Sequence, residues 1–202
     1  MGKLIEIRRH SIKDGLAHGT LGPKGFTLAR TVGERQLHGS DFTGFYASRL
    51  WRTYQSLVGF GEGAGDFRWY NVPPQAEIYL NWPELIDLWR ACHRASTRGE
   101  DMLQAAFAHN SELSLKTATE GAKKFLGWTE QLLPDARVLV VGHSPYSELI
   151  VYGLTGKNIP ALKECQGFRI LINDDDRLEV DWQSPDLDPT NIRRQIFSEP
   201  PM

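Results

Sequence analysis

The sequence predicts an α/β fold, a three-layer α/β/α sandwich whose mostly parallel sheet carries helices on both faces. Short β-branched runs alternate with longer stretches of helical periodicity, a pattern typical of parallel strands joined by helical crossovers. In the late run ARVLVV, five of six consecutive residues are apolar without alternation, as in a strand covered on both sides. With 202 residues, 41% of them hydrophobic, the chain is long enough for one domain with a sizeable core. We therefore expect a single domain over residues 1–184 and a proline-rich tail over residues 185–202.

The N-terminal half is predicted to contain three strands and two helices. The first strand is KLIEIRR, and after a loop Thr27 can cap a helix through LARTVGERQLHG, which Gly39 would end. The second strand is GFYAS, followed by a helix from about Leu50 to Phe60 that the glycine cluster GFGEGAG would stop. AEIYL is the third predicted strand.

The C-terminal half is predicted to alternate in the same way. Residues 83–109 are helical with breaks, and apolar spacing predicts a clearer helix over 118–133, closed by Pro134. The buried strand ARVLVVGH comes next, and Pro145 favours the start of a helix over YSELIVYGLTG. FRILINDDDRLEVDW is predicted to close the domain as a hairpin. The tail after Ser184 contains four prolines, so we expect it to be extended or poorly ordered.

Composition excludes several classes of partner. The chain has 23 Lys plus Arg against 25 Asp plus Glu, a formal net charge of -2, so no global basic field attracts nucleic acid or an anionic membrane. An anion site must then be local. The two cysteines, Cys92 and Cys165, lie far apart and lack CxxC spacing, which fits a reduced, cytoplasmic protein. No segment approaches the roughly 18 apolar residues that a membrane span requires, and the oligomeric state is left open.

Polar residues follow three of the predicted strands. In an open α/β sheet, ligands bind beyond the carboxyl ends of parallel strands, so these residues should share one edge. Arginine forks bind phosphoryl oxygens bidentately, helix N-termini add backbone donors, and a neutral imidazole can attack phosphorus. A single histidine after a strand is usually a surface or capping residue, and it is the joint occurrence that points to a phosphoryl site. The residues are Arg9, His10 and Ser11, then Ser48, Arg49 and Arg52, then Gly142, His143 and Ser144.

The segments RRHS, SRLWRTYQS and VLVVGHSP resemble, in order, the motifs of the histidine phosphatase superfamily, the phosphoglycerate-mutase-like group of branch 1. The stretch GFTLARTVGERQ also resembles the family's Leu-Thr-x-x-Gly-x-x-Gln stretch, with Leu-Ala where Leu-Thr is usual. The resemblance spans residues 5 to about 154. Each motif alone is weak, but the ordered set is fairly specific.

The resemblance implies a role for four residues. His10 would be the nucleophile that becomes phosphorylated, and Arg9 and Arg52 would bind the phosphate. His143 would help to hold the phosphate and stabilise the transition state.

Two serines complete the candidate phosphate-binding set. Ser11 stands where the family usually has glycine, and its side chain would either crowd the backbone against the phosphate or add a hydrogen bond. Ser144 follows His143 directly and is the other candidate.

The general acid that protonates the leaving oxygen is the least defined position, because the family's usual Leu-x-Glu-x-x-x-Gly-x-x-Glu-Gly pattern is missing. Glu84 in NWPEL follows the predicted third strand, whereas Glu77 in QAEIYL begins it and should lie near the opposite edge. We therefore favour Glu84 as the catalytic acid. An acid in a helix's first turn that complements the dipole explains Glu84 equally well.

The function that we expect is hydrolysis of a phosphomonoester or phosphohistidine through a phosphohistidine intermediate on His10. The substrate would be a small phosphorylated molecule or a phosphoprotein. We expect no cofactor and no metal, because the remaining histidines show no ligand spacing. The alternatives are a phosphoglycerate-type mutase and a catalytically inactive phosphate-binding module of the same fold. The absence of a long insertion after the second strand favours hydrolysis over the mutase.

Overall fold

The computed structural model describes residues 2–14, 19–66, 68–69, 86–98, 100–175 and 177–197. Strands and helices alternate along most of this length, as the sequence predicts. In chain order they are β1 (Lys3–Arg9), α1 (Pro23–Val32), β2 (Gly44–Ala47), α2 (Trp51–Ala64), α3 (Ile86–Thr97), α4 (Met102–His109), α5 (Ser111–Thr129), β3 (Arg137–Gly142), α6 (Tyr146–Thr155), β4 (Gly167–Ile172), β5 (Leu178–Asp181) and α7 (Thr190–Phe197).

The described residues cluster into two compact units. The first contains those up to residue 69, together with residues 134–142 and 163–197. The second contains residues 86–133 and 143–162. A single domain that ends at residue 184 stays a prediction. The predicted third strand, AEIYL, lies outside the described residues.

The first unit is built on a five-stranded mixed sheet in the order β2-β3-β1-β4-β5. β3 pairs in parallel with both β1 and β2, whereas β4 pairs antiparallel with β1 and with β5. The register aligns Arg9 with Gly142 and Ala47 with Val141. The three parallel strands therefore end at the same edge. The predicted strands that lie within the described residues and the closing hairpin are confirmed.

Helices α1 and α2 pack closely through glycines, which corrects the predicted end of α2 at Phe60. A Cβ atom on Gly63 would lie 1.9 Å from the carbonyl oxygen of Arg30, and one on Gly33 would lie 2.1 Å from that of Phe60. These glycines are needed for helix-to-helix contact and do not stop the helix. α2 ends only at Gly65, whose φ of 73° is left-handed and suits glycine.

The start of α1 also differs from the prediction. Pro23 is its first residue and Gly22 its N-cap, so a proline with a fixed φ begins the helix. Thr27 lies inside the helix, where its hydroxyl donates a hydrogen bond to the carbonyl of Pro23 at 3.0 Å. Thr27 is therefore not the cap. A π-helical turn over Gly33–Leu37 continues the helix almost to Gly39, where the sequence predicts its end.

The tail is helical where the structure describes it, and the expectation of an extended segment is wrong there. A 3₁₀ turn over Pro185–Leu187 leads into α7. Ile192 of α7 is buried in the core of the first unit, and this apolar contact stabilises the helix. That core lies between the sheet and helices α1, α2 and α7, and its largest buried side chains are those of Trp69, Phe42 and Phe60.

The second unit is helical over its described residues and contains α3, α4, α5 and α6. Side chains cap two of its helices: Asp101 accepts a hydrogen bond from the N–H of Gln104 at 2.8 Å, and Asn110 from that of Leu113 at 2.9 Å. The Asn110 cap explains why α5 begins before the residue 118 at which apolar spacing predicts it. None of the described helices combines the length and apolarity needed to cross a membrane.

A buried guanidinium joins four segments of the first unit. Arg8 has no exposed side-chain surface. Its Nε donates to the Glu6 carboxylate at 2.6 Å, its Nη1 to the Gln36 side chain at 2.8 Å and the Cys165 carbonyl at 3.0 Å, and its Nη2 to the Asp186 carbonyl at 2.8 Å. Because these partners come from β1, the π-helical turn, the segment before β4 and the segment before α7, Arg8 fixes the end of β1 among its neighbours.

We predict that Arg8→Met lowers the free energy of unfolding by about 2–4 kcal/mol, because it removes the buried hydrogen bonds of Arg8 to three other segments, whereas Glu6 keeps its ion pair with Arg169. Urea denaturation followed by circular dichroism measures the change. Arg90→Met is the control: it removes the exposed Arg90–Asp87 pair and should cost less than about 1 kcal/mol. Equal losses in the two variants would show that Arg8 does not hold the unit together.

Candidate active site

The backbone at the end of β1 is held from both sides. The N–H of Arg9 donates to the carbonyl of Gln166 at 2.9 Å, and the N–H of His10 donates to that of Gly142 at 3.1 Å. His10 is thus the first residue beyond β1, and its main chain is tied to the neighbouring strand β3. The rigid sheet therefore determines where its imidazole lies.

The His10 imidazole is buried and neutral. Its Nδ1 lies 2.6 Å from the carbonyl oxygen of Ser11, and because a carbonyl only accepts, Nδ1 carries the proton and Nε2 keeps a lone pair. Burial, followed by the charges of Arg52, Arg9 and Lys13, holds the pKa of His10 well below its ordinary value, against the opposing effect of the Ser11 hydrogen bond. The group therefore has the protonation state and the tautomer of a nucleophile.

Ser11 uses both of its donors within the fold. Its N–H donates to the Ser56 hydroxyl and its own hydroxyl donates to the Gly25 carbonyl, each at 2.8 Å. A Cβ atom on Gly25 would lie 2.2 Å from the Ile12 carbonyl oxygen, so the loop after β1 rests directly on α1. The single hydroxyl proton of Ser11 thus has an acceptor within the fold, and its predicted role in binding phosphate stays a prediction.

Arg52 lies in the first turn of α2. Burial and the nearby Arg9 lower the pKa of its guanidinium to about 10, which is still protonated near pH 7. Its Nε is buried without a hydrogen-bond partner, and within the described ranges its side chain forms no ion pair. Ser56, which accepts from Ser11, donates to the Arg52 carbonyl at 2.8 Å and so joins this turn to the loop after His10. Arg52 is thus a half-buried cation, and its predicted role in binding phosphate stays a prediction.

Sequence patterns missed Glu164, Arg193 and Lys13. Glu164 Oε1 lies 3.8 Å from Arg9 Nη2, and its Oε2 accepts from Arg193 Nη1 at 2.5 Å. Burial raises the pKa of Glu164, but Arg9 and Arg193 outweigh this and lower it. Lys13 belongs to the same electrostatic cluster, because burial, Arg52 and Arg9 lower its pKa. Glu164 and Arg193 are far from residue 10 in the chain. The β1–β4 pairing brings Glu164 near, and Arg193 of α7 joins it through their ion pair.

The cluster around His10 carries excess positive charge. Among the described residues it contains four cations, Arg9, Lys13, Arg52 and Arg193, and one carboxylate, Glu164. Arg9 and Arg52 lower the pKa of Lys13, and Arg9 lowers that of Arg52, so these cations repel and a bound anion would relieve that repulsion. The guanidinium groups match the planar, bidentate geometry of phosphoryl oxygens.

Ser144 belongs to the second unit, where its hydroxyl donates to Glu148 Oε1 at 2.5 Å. The same carboxylate oxygen accepts the N–H of Leu162 at 2.8 Å. Glu148 is itself buried. The Ser144 hydroxyl proton thus has an acceptor within its unit, and its predicted role in binding phosphate stays a prediction.

His143 is buried and follows Gly142, the residue of β3 that pairs with Arg9 of β1. Its carbonyl accepts the N–H and the hydroxyl of Ser147, at 3.0 Å and 3.2 Å. These bonds fix the main chain of His143 at the start of α6. Its predicted role in binding phosphate stays a prediction.

The two candidates for the general acid, Glu84 and Glu77, lie outside the described residues. Within the part of the chain that the structure describes, no group of three or more His, Cys, Asp or Glu side chains could hold a metal ion.

Comparison with known proteins identifies the fold. No protein-family profile matches the chain, and no curated protein matches it significantly. Among solved structures, phosphoglycerate mutase from Bacillus anthracis str. Sterne matches with a TM-score of 0.62 at 15% identity, over 90% of this chain and 92% of that chain. Phosphoserine phosphatase from Entamoeba histolytica, in complex with 3-phosphoglyceric acid, also has a TM-score of 0.62 at 15% identity, over 92% and 99%.

A third match is the protein histidine phosphatase SixA complexed with tungstate, with a TM-score of 0.52 at 19% identity, over 94% of this chain and 99% of that chain. At such identities the matches establish the fold. They confirm the α/β class and the fold that the ordered motifs imply.

We predict that Arg52→Gln raises the pKa of His10, because it removes a cation that disfavours the imidazolium form. Burial remains, so the pKa should still lie below the ordinary value of histidine. NMR of the imidazole nitrogens during a pH titration measures it. Arg137→Gln removes an exposed charge at the first residue of β3 and should leave the pKa of His10 unchanged. Identical pKa values in the wild type and Arg52→Gln would refute the coupling.

Proposed function

We propose that this chain, which has the phosphoglycerate-mutase-like fold of the histidine phosphatase superfamily, hydrolyses a phosphomonoester or phosphohistidine through a phosphohistidine on His10. The observation that carries the proposal is the buried, neutral imidazole whose Nδ1 is committed to the Ser11 carbonyl beside an excess of cations. A neutral imidazole whose Nε2 carries a lone pair is a nucleophile, and the surrounding cations suit a phosphoryl group.

In the first step, the Nε2 lone pair of His10 forms a bond to phosphorus. The bond from phosphorus to the leaving oxygen or nitrogen breaks, and its electron pair stays on the leaving group. The Ser11 carbonyl stabilises the positive charge that develops on the ring, since it accepts the Nδ1–H bond. In the second step, water attacks phosphorus, the nitrogen–phosphorus bond breaks, and the imidazole is released neutral with inorganic phosphate.

Arg9 and Arg52 act on the phosphoryl oxygens in both steps. Their charges are fixed before substrate binds, so little reorganisation accompanies the transfer. We assign His143 to the same task because it directly follows the β3 residue that pairs with Arg9. A neutral or protonated imidazole there would donate a hydrogen bond to an equatorial oxygen.

An alkoxide leaving group also needs a proton. We assign this role to Glu84, with Glu77 as the alternative. If neither acts, the substrate must carry a group that leaves without side-chain assistance, such as the nitrogen of phosphohistidine.

We further propose that the reaction needs no metal ion. In many phosphatases a metal neutralises the charge of the phosphoryl group. Here Arg9, Arg52 and Lys13 already supply positive charge around His10. Hydrolysis is preferred to phosphoryl transfer within a substrate because phosphoserine phosphatase and SixA share the fold, although phosphoglycerate mutase shares it too.

We predict that when the reaction of enzyme with substrate in the presence of EDTA is quenched, a phosphoryl adduct is found on the peptide that contains His10. The adduct should be labile in acid and stable in alkali, as expected for a phosphoramidate, and each turnover should release inorganic phosphate. p-Nitrophenyl phosphate is a suitable substrate because its leaving group needs no general acid. Peptide mass spectrometry locates the adduct.

His10→Gln should abolish the adduct, whereas His109→Gln, an exposed histidine on α4, should not change it. An adduct on a serine or cysteine would refute the mechanism. Phosphoryl transfer without release of phosphate would indicate the mutase, and complete absence of an adduct and of turnover would indicate an inactive binding module.

A further inference from the structure

A groove of about 660 Å³ opens in the first unit, between α1, α7 and the segment before β4. This volume is within the range of sites that bind a ligand much larger than a phosphate ion. The groove is open along its length, and four of its residues are basic and two are large and apolar. They are Lys24, Lys163, Arg193, Arg194, Ile12 and Phe197.

Most of the basic side chains in the groove lack an acidic partner. Among the described residues, no ion pair involves Lys24, Lys163 or Arg194. Lys24 lies in the first turn of α1, where the helix dipole favours acidic residues and disfavours a lysine. Its Nζ lies 5.8 Å from the centre of the Phe197 ring. The described residues of the unit therefore leave the positive charge of the groove largely uncompensated.

Arg193 connects the groove to the cluster around His10. Arg193 lines the groove and donates to Glu164, and the other oxygen of Glu164 lies 3.8 Å from Arg9. Ile12, also in the groove, is two residues beyond His10 in the chain. A ligand whose phosphoryl group reached His10 would therefore extend naturally into the groove.

We propose that the groove binds an acidic segment of a polypeptide whose phosphorylated residue occupies the site at His10. The assignment to a phosphorylated polypeptide rests on the proposed function. The basic residues come from three separate segments, so a single carboxylate would contact only part of the set, whereas a chain with several acidic residues would meet all of it. Ile12 and Phe197 supply the apolar surface that aliphatic parts of such a chain would cover. Electrostatic attraction would also speed association and weaken with salt.

The binding test uses a fluorescein-labelled hexaglutamate peptide without phosphate, and hexaglutamine as its neutral counterpart. We expect hexaglutamate to bind more tightly at low salt, and the double variant Lys24→Gln/Arg194→Gln to weaken that binding by about 10-fold. Lys123→Gln/Lys124→Gln is the matched control, because it removes two exposed charges from α5 in the second unit. Fluorescence anisotropy gives the dissociation constants. If both double variants weaken hexaglutamate binding equally, or if the wild type binds hexaglutamate and hexaglutamine equally well, the groove is not a site for acidic peptides.

The kinetic test compares a phosphoserine peptide flanked by glutamates with one flanked by glutamines. We expect the ratio of kcat/KM for these peptides to exceed one in the wild type and the control variant, and to fall towards one in Lys24→Gln/Arg194→Gln. If the wild type hydrolyses both peptides with a kcat/KM ratio of one, the proposal that the groove binds acidic peptides is wrong, while the proposed phosphatase activity stands. If hexaglutamate binds in a groove-dependent way but no phosphorylated peptide is turned over, the proposed phosphatase activity is wrong and the proposed binding in the groove stands. If Lys24→Gln/Arg194→Gln lowers kcat/KM for 3-phosphoglycerate as much as for the acidic peptide, the occupant is a small molecule and the proposal is wrong.

Discussion

The site depends on the repulsion among cations that the fold gathers at the end of β1. Arg9, Arg52 and Lys13 all lower the pKa of His10, and Arg9 also lowers that of Arg52. Bringing like charges together in a partly buried place costs free energy, which the rest of the unit must offset. A dianionic phosphoryl group would reverse the sign of that interaction. Burial does most to keep His10 neutral, and this repulsion adds to it. The same cations would attract the substrate, so one arrangement of charges acts on both the proposed nucleophile and its binding site.

Packing elsewhere in the first unit keeps these charges in place. Arg8, next to Arg9 in β1, is fully buried and bonded to four segments, so the strand cannot shift without breaking that network. On the other side, Ser56 holds the loop after His10 against the turn that carries Arg52. These contacts use neutral hydrogen bonds and a compensated ion pair, whereas the cations of the site have few acidic partners. The fold therefore separates the residues that stabilise it from those that we expect to bind substrate.

Local patterns in the sequence predicted the strands, the hairpin and the convergence of Arg9, His10 and Arg52 on neighbouring elements. These features are encoded by short runs of apolar residues and by the rule that parallel strands end together. Patterns failed where a residue serves a distant contact: Gly63 is of a type that breaks helices, but here it allows α2 to approach α1. Glu164 and Arg193 carry no local motif, because their role arises only from tertiary proximity.

The phosphoryl site around His10 is tested most directly by the binding of inorganic phosphate alone, measured by isothermal titration calorimetry at low ionic strength. The wild type should bind one phosphate, and Arg52→Gln should weaken that binding by about 10- to 100-fold, because a charge-assisted donor to the anion is lost. Lys123→Gln, which removes an exposed charge from α5, should bind as the wild type does. If Arg52→Gln and Lys123→Gln bind phosphate equally well, or if the wild type binds none at millimolar concentration, the cations around His10 do not form a phosphoryl site.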